Sequence, residues 1–315
     1  MISFRFHVVS ITAIFLAIAV GVVVGSTYVD QLTVDQLRNR IETVEDRADA
    51  AREENARLED ELKRTEGYVD LSSQYAVTDR LTDVPVLLLA ARGVDEAAVE
   101  QSVVLARQAG AVVPGIVWME PRWALDGEDD AKALATIVGG SSSDDPEELW
   151  AAAWQGVTDE LATADVSEQG QSGTMLGDLE AAGFLTVDGL DDDSVGLADL
   201  AGSAPRVLVL TGARAQSEVA PVVPVVVTAT TDGGLTTVVG DIYVRADEAP
   251  GRGVDLTDIL DDSTLDSIVI VDDADLEAGR VAAVLGLDSA ADGQLGVHYG
   301  YGDGADAVLP AWTAP

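Results

Sequence analysis

Pro85-Val86-Leu87-Leu88-Leu89-Ala90 is a short, unbroken apolar run. A half-solvated strand alternates apolar and polar residues, whereas one without alternation is covered on both faces, as in a parallel sheet flanked by helices. The next residues complete a unit. Asp95 can cap a helix over 95–108, and Gly110 stops it. Residues 111–119 (AVVPGIVWM) read as a second strand, with Pro114 marking a bulge or an edge. Strand, helix, strand with short links is a βαβ unit, whose strands run parallel.

The rhythm recurs downstream. Asp145-Pro146-Glu147-Glu148 places Pro at the first position of a helix, predicted to run to about Ala162. A shorter helix over 176–182 leads into a strand over 184–187. Strands follow over 206–211, 235–240 and 267–271, and a helix over 277–287. Residues 219–231 are ambiguous, because Pro221 and Pro224 oppose a regular helix while the β-branched run favours a strand. The predicted fold class is α/β, an open, mostly parallel sheet with helices on both faces, occupying residues 72–315. Such folds place ligands in the loops that follow strands. Those loops read Ala91-Arg92-Gly93, Thr211-Gly212-Ala213-Arg214 and Asp272-Asp273-Ala274-Asp275. None carries a dinucleotide fingerprint or a phosphate loop.

Upstream the texture differs. Residues 8–25 (VVSITAIFLAIAVGVVVG) would span roughly 27 Å as a helix at 1.5 Å per residue, against a hydrocarbon core of about 30 Å. A signal peptide is the rival, but its apolar region is usually shorter. The reading is an uncleaved transmembrane anchor over 1–29, with the bulk of the chain extracytoplasmic. Ala13, Ala17, Gly21 and Gly25 recur every four residues and would form a small-residue ridge for helix pairing in lipid.

From Val34 to Val69 the apolar residues step by threes and fours, which is the heptad pattern of a coiled coil. The predicted stalk covers 30–71. Its seam includes Leu37, Ile41, Val44, Asn55, Leu58 and Leu62, with Asn55 at a position where a buried amide fixes register. In a parallel homodimer the flanking pairs would be Arg40–Glu45, Arg47–Arg52, Glu54–Glu59 and Glu61–Glu66, and only the first attracts. A homodimer and a heteromeric partner with basic flanks both remain open, as does a single solvated helix.

Composition limits the chemistry. The 56 acidic residues against 18 basic give a net charge of -38, which repels nucleic acid. With no cysteine there is no disulfide, thiolate zinc site, iron–sulfur cluster or thiol nucleophile. The two histidines are His7, at the edge of the apolar span, and His298. Neither accompanies a nucleophile elbow, so no enzyme is expected. Soft-metal ligation needs thiolate, thioether or imidazole. Beyond the anchor that leaves His298, Met119 and Met175. Asp191-Asp192-Asp193 and the 272–275 turn could hold hard cations weakly, or be solvated loops. In 296–305 (GVHYGYGDGA) glycines alternate with larger residues. Tyr299, Gly300, Gly302 and Gly304 form either a ligand-cradling loop or a structural turn.

Two blocks carry a resemblance. The opening MISFRFHVVSITAIFLAIAVGVVVGS and the tail GRVAAVLGL…GVHYGYGDGADAVLP are similar to the start and end of actinobacterial copper-transport proteins of the MctB type. The order of anchor, stalk and α/β domain agrees as well. The resemblance implies a cell-envelope protein of copper transport or homeostasis, with copper as the metal and His298 as its candidate ligand. The alternative, read from the stalk, is a non-enzymatic scaffold that recruits cell-wall or division machinery.

Overall fold

The computed structural model describes residues 4–143, 145–163, 174–189, 200, 202–244, 260, 262–302 and 304–311, with backbone alone over 26–36, 66 and 70. The chain divides into two compact units, Met1–Glu66 and Gly67–Pro315. The acidic run Asp191-Asp192-Asp193 lies outside the described residues.

A single helix, α1 (Phe4–Val77), makes up the first unit and enters the second. Its segment Phe4–Gly25 is long and apolar enough to cross a membrane, and none of its most apolar stretch is buried. Ala13, Ala17, Gly21 and Gly25 are all exposed. Added Cβ atoms at Gly21 and Gly25 would meet nothing within 4 Å. Farther along, Leu37, Ile41, Val44, Asn55, Leu58 and Leu62 are exposed too.

The second unit is an α/β domain built on one seven-stranded sheet. The strands are β1 (Val86–Ala91), β2 (Ile116–Met119), β3 (Leu185–Asp188), β4 (Arg206–Gly212), β5 (Thr237–Ile242), β6 (Val269–Val271) and β7 (Val297–Tyr299). Their order across the sheet is β3-β2-β1-β4-β5-β6-β7. All neighbours pair in parallel except β2 and β3. All six residues of β1 are buried, as the unbroken apolar run requires. Helices α2 (Glu96–Gln108) and α8 (Glu277–Ala291) pack together on one face. The other face carries α3 (Glu128–Val138), α4 (Pro146–Ala162), α5 (Met175–Ala181) and α6 (Val222–Asp232). A short α7 (Asp262–Leu265) precedes β6. Asp95 caps α2 by accepting from Ala97 N, and Asp145 caps α4 by accepting from Glu147 N.

Four elements differ from expectation. The ambiguous 219–231 segment is helical, because Pro221 stands at the N-cap of α6 and Pro224 in its first turn, where a backbone N–H has no acceptor inside the helix. Valines 222, 223, 226 and 227 make its buried face. The 111–119 strand shrinks to Ile116–Met119, with an isolated bridge between Pro85 and Val112, since Pro114 cannot donate to a ladder. Helix α3 falls in a stretch to which no element was assigned. Residues 297–299 lie in the glycine-rich stretch read as a loop or turn, yet they add an edge strand.

Candidate functional site

The order of β6 and β7 decides what His298 meets. In the parallel register Ile270 faces His298, and Val271 faces Tyr299. The next residues after β6, Asp272 and Asp273, are therefore carried beneath the chain leaving β7. His298 Nε2 lies 3.0 Å from Asp272 Oδ2, with the imidazole largely covered and the carboxylate almost fully so. Both acids are buried, at 4% and 3% exposure. Buried carboxylates must be matched by donors, and the glycine-rich chain supplies them. Gly302 N donates to Asp272 Oδ2 at 3.0 Å, and Tyr301 N donates to Asp273 Oδ2 at 3.3 Å. The loop thus holds two of the chain's own carboxylates.

Glycine is required at the closest point of this wrap. Gly300 has φ +137°, and a Cβ there would sit 2.5 Å from Asp272 Cβ. The loop then closes on itself: Asp306 accepts from His298 N at 3.0 Å, Asp306 N donates to His298 O, and Gly300 N donates to Ala307 O. Tyr299 is buried at 4% exposure. Burial, with the nearby Asp306 charge, raises its hydroxyl pKa against the lowering hydrogen bond with Ser289.

The acidic turn is clamped from α8. A Cβ on Gly279 would fall 2.1 Å from Asp273 O, so only glycine permits the helix to start there. Arg280, almost wholly buried, donates to Ala274 O at 3.2 Å and Asp275 O at 2.7 Å, and pairs with Glu277 at 2.8 Å. Asp275 Oδ1 accepts from Tyr243 N. Residues 279–280 and 298–302 together therefore hold one four-residue turn.

As a metal site this arrangement is sparse. Among the described residues no group of three His or acidic side chains is placed to hold an ion. An imidazole beside a carboxylate suits Cu(II) better than Cu(I), which wants sulfur. Met119 is fully buried in β2, on the far side of the sheet. Five strand spacings of about 4.8 Å put it roughly 24 Å from β7, too far to share an ion with His298. Met175 belongs to the helical layer, beside Gly156 of α4.

The strand order reverses between β1 and β4, where such sheets leave a ligand crevice. Here the chain fills it: Gln216 N donates to Arg92 O, and Arg214 O lies 2.4 Å from where a Gly93 Cβ would stand. A small cleft of about 230 Å³ remains beside it, lined by Asp95, Arg214, Tyr243 and Asp275. Sequence reasoning missed the polar cluster next to this crevice. Arg92 pairs with Glu120 at 2.5 Å, donates to Thr186 Oγ1 at 2.8 Å and lies 4.3 Å over the Trp118 ring. Burial pushes the Glu120 carboxyl up, but Arg92 and Thr186 outweigh it and hold the carboxyl below its ordinary range. The only signal was an arginine placed directly after a buried strand.

The chain was compared with known proteins. The family described as "Copper transport outer membrane protein, MctB" matches residues 1–310. The chain belongs to this family. Proteins named "Copper transporter MctB" from Mycobacterium bovis and from two strains of Mycobacterium tuberculosis are each 27% identical to it, over 98% of this chain and 99% of theirs. Membership of the MctB family covers the apolar helix, the charged stretch and the α/β domain together, including the turn and loop around His298.

Proposed function

We propose that this chain is a single-pass, non-enzymatic envelope protein of copper transport or homeostasis, anchored by residues 8–25 with its bulk outside the cytoplasm. The family match across 1–310 is the observation that carries this reading. Copper as cargo would meet the α/β domain at His298 and Asp272, the nitrogen and oxygen donors 3.0 Å apart at the edge of the sheet. An imidazole nitrogen beside a carboxylate oxygen is a donor pair that suits Cu(II). The loop of Tyr299, Gly300, Gly302 and Gly304 keeps that pair in place. The β1 and β4 strands are buried along nearly their whole length, so this sheet is a packed layer without the lipid-facing alternation of a membrane barrel. Passage across a bilayer would therefore fall to assembled Phe4–Gly25 helices.

Calorimetric titration of Cu(II) and Cu(I) into the full chain in detergent tests this. Cu(II) binding that disappears in His298→Ala, with Cu(I) bound no better, is expected. Equal Cu(II) binding by both proteins would remove His298 from the account.

The exposed seam residues favour a second reading, a scaffold that captures another chain through 30–71. Co-purification of a stoichiometric partner that depends on Leu58 and Leu62 would support it.

A further inference from the structure

Leu37, Ile41, Val44, Leu58 and Leu62 are between 49% and 63% exposed, an apolar stripe left open along α1. The charges beside it are segregated. Arg38, Arg40, Arg47 and Arg52 lie in the first half with Glu45, whereas Glu54, Glu59 and Glu61 lie in the second. We propose that the stripe is covered by a different chain, a helix that leaves the same bilayer parallel to α1. Its flanks are acidic beside Arg38 to Arg52 and basic beside Glu54 to Glu61, and an Asn faces Asn55. This rests on the second reading above, in which the stalk captures another chain, and gives that chain its chemistry.

A second copy fits in neither direction. In parallel, the flanking pairs Arg47–Arg52, Glu54–Glu59 and Glu61–Glu66 set like charges together, and Arg40–Glu45 alone attracts. In antiparallel, the register that opposes Arg40 to Glu61 and Arg47 to Glu54 pairs the charges, but it sets residue 74 of each copy level with Gly25 of the other. Because α1 runs unbroken to Val77 and on into the α/β domain, that domain would lie in the bilayer holding Phe4–Gly25. A different chain meets neither obstacle. The parallel direction follows from Asn55: across a parallel pair an a position meets an a position, where a second Asn satisfies the amide and fixes the register.

The far end of the stripe limits the partner. Val69, Ser72 and Ala76 are half-buried and Ser73 and Val77 are buried, so the chain covers its own helix from Val69 onward. The face open to a partner is therefore residues 37–65, about 42 Å at 1.5 Å per residue. Glu45 stands among the arginines, so the acidic half of the partner needs one basic residue opposite it. Within α1, Arg52 bonds Asp49, and Glu54 and Glu61 share Arg57, so part of this charge is already met before the partner arrives. The pairing does not depend on copper binding.

Three fluorescent peptides titrated into the full chain in detergent test this by anisotropy. Two share a Val and Leu seam with one Asn and differ only in their flanks. One has Glu opposite the four arginines and Lys opposite Glu45, Glu54, Glu59 and Glu61; the other has these signs exchanged. Both are neutral overall, so the net charge of the chain does not choose between them. The third is the chain's own 34–65 segment. The complementary peptide should bind roughly a hundredfold tighter than either of the others. Equal binding of the own segment would make the occupant a second copy and overturn the proposal. Equal binding of the sign-exchanged peptide overturns it too, while leaving capture by the stalk standing; binding of none removes that capture itself. In native membranes, benzoylphenylalanine in place of Leu58 should attach on illumination to a helix of another chain with Lys or Arg beside the attached residue. Attachment to a second copy, to an acidic helix or to no protein contradicts the proposal.

Discussion

Replacing Gly300 by alanine tests whether the His298–Asp272 pair is preformed by the turn around it. At φ +137° a side chain occupies backbone space that is essentially glycine's, costing about 1–3 kcal/mol in strain. The new methyl would lie 2.5 Å from Asp272 Cβ, a group fixed to the backbone and unable to swing aside. Overpacking of that kind costs about 1–3 kcal/mol more. The sum, about 2–6 kcal/mol, corresponds to a loss of roughly 5–20 °C for a domain of this size. Gly304→Ala is the control, because its φ is +94° but nothing lies within 4 Å of its Cβ position, so it carries strain alone. The assay is thermal unfolding of the full chain in detergent, followed by tryptophan fluorescence from Trp118, Trp123, Trp150 and Trp154 in the α/β domain. Gly300→Ala should unfold clearly below Gly304→Ala. Equal midpoints would refute the close contact, and with it a site preset by the glycine loop.

Other outcomes follow from the cluster beside β1 and from α4. Glu120→Gln should cost about 1.5–3 kcal/mol at neutral pH, the worth of a charged hydrogen bond to Arg92. Because the folded pKa of Glu120 is lowered, its contribution is present above the pKa of the unfolded carboxyl and fades as pH falls through the folded pKa; denaturant unfolding should show wild type and variant converging in acid. Glu160 behaves oppositely. Burial raises its carboxyl against hydrogen bonds from Met175, Leu176 and Thr174, so its contribution is present in acid and lost as pH rises through the folded pKa. Glu160→Gln should therefore gain stability relative to wild type near neutrality, measured the same way. Gly279→Ala should destabilise the domain, since its Cβ would fall 2.1 Å from Asp273 O, and should weaken any Cu(II) binding with it.

Much of the fold was legible because its signals are local. The unbroken run at 85–90, the cap at Asp95, the stop at Gly110 and the Asp-Pro start at 145–146 each act within a few residues, and each has its counterpart in the structure. Helix α6 was not legible, since a proline opposes a helix only beyond its first turn and the sequence does not show where that turn begins. Strand β7 is three residues long and exists because β6 offers it an edge, a long-range cause invisible in a glycine-rich stretch. The site divides the same way. His298 stood out as the one imidazole beyond the anchor, and the 272–275 turn as an acidic loop after a strand, but nothing local joined the two until the register of β6 and β7 placed Asp272 3.0 Å from the imidazole. The Arg92–Glu120–Thr186 cluster joins three separate strand ends and had no local signature.

The most direct test of copper contact at this site is electron paramagnetic resonance of the full chain loaded with one equivalent of Cu(II). With two histidines in the chain, imidazole coupling can arise only from His7 or His298. The account predicts coupling to a single imidazole nitrogen that persists in His7→Ala and vanishes in His298→Ala. Coupling that survives His298→Ala, or a spectrum with oxygen donors alone, would contradict it.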